Sequence, residues 1–176
     1  MEWSSHLQCE KQSESFSDFS TTKPMDKYFR TEDGKLINVV EHILEQLKLN
    51  PALKIYIATD SQNYGGSSVY VVAIVFRYGT RGAHVVHRKE RLPRIRDNFK
   101  RLWKEAECTI ETAEMIKAEI PVNIEALEFD YNNKKITKST NLIPSILGWA
   151  KSLGYNALVK PDEMIAAKAA DHYCRN

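Results

Sequence analysis

The run Lys54-Ile55-Tyr56-Ile57-Ala58-Thr59-Asp60-Ser61-Gln62-Asn63 decides the fold of this chain. Ile55, Tyr56, Ile57 and Ala58 form a short apolar run of mostly β-type residues, which predicts a strand buried on both faces. The strand is expected to end in Thr59-Asp60-Ser61, where an acidic side chain meets its terminus. A lone carboxylate is costly to bury unless it is paired or bound to a cation. Asp60 is therefore either a turn-forming residue at a solvated strand end or half of a metal site.

Downstream, Tyr64-Gly65-Gly66-Ser67-Ser68 reads as a turn, and Val69 to Tyr78 as a long β-type strand. Gly79-Thr80-Arg81-Gly82 turns the chain again, and Ala83 to Leu92 alternates roughly as a third strand. Three strands joined by short turns predict an antiparallel meander. Upstream, Leu36, Ile37, Val40, Ile43, Leu44 and Leu47 recur at helical spacing from about Asp33-Gly34 until Asn50-Pro51 stops the run. Beyond Pro93 a long helix is expected from Asp97 to about Ala118, with Phe99, Leu102, Ala106, Thr109, Ala113 and Ile116 on its buried face. Val122 to Asp130 predicts a fourth strand and Tyr131-Asn132-Asn133 a turn. Thr140 or Asn141 can cap a helix that closes at Gly154. Ala157-Leu158-Val159 is a fifth strand, and Glu163 to about Tyr173 a closing helix for which Asp162 is the natural cap. A meander followed by strand-helix alternation implies an α/β fold: a mixed five-stranded sheet flanked by helices, with an extra helix at its N-terminal end.

Residues 1 to 24, rich in Ser, Thr, Gln and Glu, read as a mobile or loosely docked arm, and 25 to 176 as one domain. No apolar run has the length of a membrane span, and the first residues lack the basic-then-apolar pattern of a signal peptide. Cys9, Cys108 and Cys174 are odd in number and far apart, which argues against a disulfide framework or thiolate zinc site and for a reducing cytoplasm. The net charge of +2 excludes little, because the charge is unevenly placed.

Four acids share one relation to this layout. Asp60 and Asp130 each end a strand, and if those strands are parallel neighbours their carboxylates share one edge of the sheet. Glu105 lies one helical turn from Leu102 and Thr109, on or beside the buried face of the long helix, whereas Glu107 falls on a more outward stripe with Trp103, Ile110 and Glu114. Glu111 and Glu114 compete for the same role. Asp171 follows Ala170 on the closing helix, one turn from Ala167. Converging carboxylates repel unless a hard divalent cation lies between them, and Mg²⁺ or Mn²⁺ with open coordination suits phosphoryl chemistry. Two such ions roughly 4 Å apart can activate water and stabilise a leaving oxygen. His84 and His87, three apart on one strand, face opposite sides of the sheet and are read as structural or surface residues.

Between Arg77 and Lys104 lie ten Lys or Arg residues, opposed only by Glu90 and Asp97. Arg88, Lys89, Arg91, Arg94, Arg96, Lys100 and Arg101 are candidate phosphate contacts, with a solvated charged face as the plain alternative. The excess of Arg favours phosphate forks.

The ordered set of a Thr-preceded strand Asp60, an acid on the first sheet helix, Asp130 and Ala170-Asp171 resembles the ribonuclease H-like superfamily. More closely, Thr59-Asp60-Ser61-Gln62, Glu128-Phe129-Asp130, Lys160-Pro161-Asp162 and the downstream Ala-Ala run resemble the YkuK-like family of bacterial proteins. The resemblance covers roughly residues 36 to 175 and implies a ribonuclease H-like fold, with Asp60, Glu105, Asp130 and Asp171 as catalytic, metal-binding residues. It also implies one or two Mg²⁺ or Mn²⁺ ions and a nuclease acting on RNA, DNA or a hybrid. Many members carry a His in the loop before the last helix; here that loop is Lys160-Pro161-Asp162-Glu163. A nucleic-acid-binding module without activity, or a protein-interaction domain, are the rival expectations.

Overall fold

In the computed structural model, which describes residues 26–80, 82–131 and 142–175, the strand Lys54–Tyr64 sits inside a seven-stranded mixed sheet. In chain order the elements are β1 (Tyr28–Thr31), β2 (Leu36–Asn38), α1 (Val39–Leu49), β3 (Lys54–Tyr64), β4 (Ser67–Arg77) and β5 (Ala83–Pro93). They continue with α2 (Asn98–Glu119), β6 (Ala126–Phe129), α3 (Leu142–Ser152), β7 (Ala157–Val159) and α4 (Ala166–Arg175). The sheet order is β2-β1-β5-β4-β3-β6-β7. Strands β3, β4 and β5 form the expected antiparallel meander, and β6 and β7 extend it as parallel strands.

Strand β4 is buried along nearly its whole length because helices cover both faces of the sheet. Val72, Ile74 and Phe76 join Ile55 and Ile57 of β3 in the main core, with Ala106, Ile110, Ala113 and Ile116 of α2 and Leu142 and Ile146 of α3. The alternate residues turn the other way. Ala58 and Val75 pack on Ala166 and Ala167 of α4, and Val69 and Val71 pack on Cys174. Small residues at Ala166, Ala167 and Ala170 let α4 lie close against the strands.

The sheet has two more strands than the sequence pattern suggested. Tyr28–Thr31 and Leu36–Asn38 form an antiparallel pair beside β5. Leu36 and Ile37, expected in the first helix, belong to this pair. Asn38 fixes the helix start instead, since its side chain accepts a hydrogen bond from the Val40 N–H at 3.0 Å. Strands this short carry too few residues for a period to register. The long helix matches its expected limits to within a residue, capped by Asp97, whose carboxylate accepts the Lys100 N–H at 2.9 Å. Phe99, expected on its buried face, is 45% exposed. The turn at Tyr131-Asn132-Asn133 beyond Tyr131, the Thr140 or Asn141 cap, and the arm 1–24 lie outside the described residues.

Strand β3 runs on past Asp60, which is seventh of its eleven residues and not its end. Thr59 to Asn63 stay paired with β4 as far as a two-residue turn, Gly65-Gly66, where Gly65 takes a φ of +54° that side chains disfavour. The parallel neighbour β6 is far shorter and stops at Phe129.

Helix α4 begins at Ala166, three residues later than expected, and Asp162 is not its cap. The buried Glu128 of β6 takes that role: its two carboxylate oxygens accept the Ile165 N–H at 3.1 Å and the Ala167 N–H at 2.9 Å. Burial raises the Glu128 pKa and the backbone N–H groups only partly offset this. Glu128→Ala would leave two donors at a helix start without an acceptor, an expected loss of about 2–4 kcal/mol, with Glu128→Gln losing less. Urea unfolding of the two variants checks this.

Candidate active site

The acids occupy one end of the β3–β6 seam. The register pairs Ala58 with Glu128, so the two residues that follow each, ending in Asp60 and Asp130, advance side by side. Asp130 leaves the sheet at this point and Tyr131 docks: its ring is buried and its hydroxyl donates to the Leu102 carbonyl at 2.7 Å. Helix α4 brings Asp171 to the same place. Its last turn is held on β3 by the Cys174 thiol, which donates to the Asp60 carbonyl at 3.2 Å, and by the Tyr64 hydroxyl, which donates to the Cys174 carbonyl at 2.6 Å.

Asp60 shares strand parity with Tyr56 and Ala58 and so turns toward α4, as Asp171 requires. Burial pushes its carboxyl up to about 6, and the negative charges of Asp171 and Asp130 push in the same direction. The Ser61 backbone N–H and Arg101 oppose the shift without cancelling it.

Glu105 lies across the sheet. It is 4% exposed on α2, and Ser61, the neighbour of Asp60 that points the other way, donates its hydroxyl to Oε1 at 2.5 Å. Burial is the largest cause lifting the Glu105 carboxyl to about 8, with Asp60 and Asp130 adding to it, so the side chain keeps its proton at neutral pH. Arg101 closes the group: Nη1 donates to the Ser61 carbonyl at 3.0 Å and lies 3.3 Å from Ser61 Oγ. Two buried polar atoms near Glu105, Tyr70 Oη and Arg101 Nε, have no partner among the described residues.

Among the helix glutamates, Glu105 is the one that shares the field of Asp60. Glu107 pairs with Lys104 at 2.5 Å on the outer side of α2, Glu111 is influenced by Glu107, Lys104, Arg88 and Glu90, and Glu114 accepts the Tyr155 hydroxyl. Two of the candidate acids are held by cations. Lys160, from the loop between β7 and α4, pairs with Asp130, and Arg175 pairs with Asp171 at 2.8 Å. Among the described residues no three acidic, histidine or cysteine side chains stand together as a ready metal cage. The four acids are coupled through their fields, with three on the α4 side and one behind the sheet.

The basic segment does not form one face. Strand alternation turns Arg88 to the α2 side, where it stacks over Phe29 with 5.1 Å to the ring centroid, and turns Lys89 and Arg91 to the α4 side. Arg91 donates to Ser67 Oγ at 3.0 Å and Arg94 to the Gly65 carbonyl at 2.8 Å, bracing the β3–β4 turn. Arg96 and Lys100 are exposed. His84 and His87 do face opposite ways: His84 Nε2 meets His42 Nε2 at 3.0 Å, and His87 stacks on Tyr173 with centroids 3.8 Å apart. Sequence reading missed Ser61 as the partner of Glu105, although its place beside Asp60 on an alternating strand is the signal for it.

A mixed sheet of this order, with acids on an interior strand, just past the end of its parallel neighbour and on the covering helices, defines a class. The ribonuclease H-like family model matches residues 38–175, and the chain belongs to that family. A search of curated proteins returned no match.

The raised pKa of Asp60 has a thermodynamic consequence. Below the ordinary carboxylate pKa the acid is neutral folded or unfolded and the penalty is absent; it grows as pH rises and is complete above about 6. Asp60→Asn is therefore expected to stabilise the metal-free chain by about 2 kcal/mol near neutral pH, with the gain vanishing toward about pH 4. Thermal unfolding of both forms in EDTA across that range is the check.

Proposed function

We propose that the chain is a divalent-cation-dependent nuclease of ribonuclease H-like type, hydrolysing phosphodiester bonds in RNA, DNA or a hybrid. The observation that carries this reading is the pressure that Asp130 and Asp171 put on the half-buried Asp60 at the point where β6 stops beside β3. An acid held up to about 6 by burial and by two neighbouring carboxylates marks a surplus of negative potential. Hard oxygen donors in that condition suit Mg²⁺ or Mn²⁺, one or two ions.

Asp60, Asp130 and Asp171 would hold the ion, and Glu105 would join them only by leaving its Ser61 contact, reaching the α4 side past the end of β6 and releasing the proton that burial keeps on it. Such an ion supplies Lewis acidity toward the phosphodiester. Lys160 and Arg175, both on the exposed rim, would exchange their present carboxylate partners for substrate phosphates. Lys160 thereby occupies the place in the loop where many relatives carry a His. Arg101 would keep Ser61 and Glu105 in line from behind the sheet. Of the remaining basic residues, Lys89, Arg96 and Lys100 are exposed and would meet a polyanion, Lys89 on the α4 side.

The finer kinship we infer is with the YkuK-like bacterial proteins, supported by Thr59-Asp60-Ser61-Gln62 on β3, Glu128-Phe129-Asp130 on β6 and the Ala-rich α4. Buried free thiols at Cys108 and Cys174 suit a reducing cytoplasm. No helix among the described residues is long and apolar enough to cross a membrane. One observation favours a second reading, a nucleic-acid-binding module without hydrolysis: Asp130 and Asp171 already have cationic partners, and Glu105 lies behind the sheet.

Incubation of labelled RNA, DNA and hybrid duplexes with Mn²⁺ or Mg²⁺ separates the two. Metal-dependent cleavage that Asp60→Asn reduces to background is the expected result. Retained binding with no cleavage by wild type would establish the second reading. Calorimetric Mn²⁺ affinity is expected to strengthen as pH rises from about 6 to about 8, because ligands with raised pKa values must lose protons to bind. A pH-independent affinity, or one unchanged in Asp60→Asn, would sink the carboxylate site.

A further inference from the structure

The outward side of α2 carries a feature that the acids do not use. Phe99, Trp103 and Trp149 form a ladder of rings: Phe99 and Trp103 lie 6.3 Å apart with planes 10° from parallel, and Trp103 and Trp149 lie 5.7 Å apart at 14°. Phe99 and Trp103 are one turn apart on α2, and Trp149 comes from α3. The two tryptophans rest on the edge of the main core, which accounts for them as packing. Phe99 has no such account, since it ends the ladder at 45% exposure. It lines an open groove of about 440 Å³ with Ile95, Lys100, Trp103, Lys104 and Glu107. The Lys104 charge is matched by Glu107, while Lys100 lines the groove and is exposed, and Arg96, exposed as well, follows the groove residue Ile95 in the chain.

We propose that this ladder is a stacking platform for the unpaired bases of a single-stranded nucleic acid, with Arg96 and Lys100 on the neighbouring phosphates. Near-parallel rings leave the terminal ring presenting its face, and a base stacks on a face whatever its identity. Cations beside an apolar slot complement a chain that alternates phosphates with flat aromatic groups. A second copy of this protein docking by two-fold symmetry on the same groove would bring Arg96 and Lys100 toward their own counterparts, a like-charge contact. Bases inside a duplex are already stacked and offer no face except at the ends. The inference rests on the nucleic-acid reading above and narrows it to strands with unpaired bases.

The test is fluorescence anisotropy of a labelled oligothymidylate with the full chain in EDTA, where no metal-dependent cleavage intervenes. A duplex and an abasic strand of equal length serve as comparisons. Wild type is expected to bind the single strand more tightly than either. Phe99→Ala, at an exposed site that leaves the core intact, is expected to weaken single-strand binding about tenfold. Trp103→Ala should do at least as much and Trp103→Phe much less, while abasic affinity stays nearly constant for all three. Unchanged affinity in Phe99→Ala, or an equal loss on the abasic strand, overturns the platform. So does a change of mass by light scattering without a change of affinity, which would make the groove an interface between copies. The two proposals fail separately. Ladder-dependent binding without cleavage in Mn²⁺ supports the platform and overturns the nuclease; cleavage abolished by Asp60→Asn but indifferent to Phe99→Ala does the reverse.

Discussion

Strand β3 lies between two differently covered faces, and the arrangement of the acids depends on that constraint. Its odd residues supply Ile55, Ile57 and the Ser61 hydroxyl to the α2 side, and its even residues supply Ala58 and Asp60 to the α4 side. A shift of one residue in register would exchange these sets, putting Asp60 into the main core and Ile57 beneath α4. The eleven paired residues against β4 hold the register, and the tight Gly65-Gly66 turn anchors it at one end. Ser61, next to Asp60 in sequence, turns its hydroxyl to the far side and bonds Glu105 there, so the two acids feel one another across the strand.

The electrostatics of the site follow from how little compensates the acids. Asp60 gains a backbone N–H and a distant guanidinium against desolvation and two carboxylates, and its proton affinity rises. Glu105 gains a short hydroxyl contact against nearly complete burial, and its proton affinity rises further. The partners that would neutralise the cluster, Lys160 and Arg175, sit on its exposed rim, where water screens an ion pair to a small net value. A fold that only needed stability would do better with neutral residues at these positions.

Much of this fold was legible because long elements carry long periods. The meander, the span of α2 and the parallel approach of β6 to β3 could be read from hydrophobic runs and turn residues. The hairpin of β1 and β2 could not, because three- and four-residue strands show no period and Leu36-Ile37 fits a helix as well. The start of α4 was misplaced because its capping carboxylate, Glu128, lies on another strand, and a long-range cap leaves no local signature. At the site, the sequence reading ended the strand at Asp60, four residues too early, because Ser61 to Tyr64 carry no apolar run to extend it; the stripe analysis of α2 did separate the buried Glu105 from the outward Glu107. The same analysis buried Phe99, since helical spacing tells which residues share a face but not where along the helix the neighbouring layer ends. The basic segment looked continuous in sequence, yet strand alternation divided it between two faces.

The hold of Cys174 on the Asp60 carbonyl spans 114 residues of sequence. Contacts that close such long loops cost more chain entropy than the locally wired hairpins. The β3–β4–β5 meander can therefore assemble while Asp130 and Asp171 are still remote, and the repelling carboxylates meet only when a hydrophobic core already exists to restrain them. Loop length alone thus makes the charge crowding costly to assemble early, and an order of events in which it comes last is the expectation that follows.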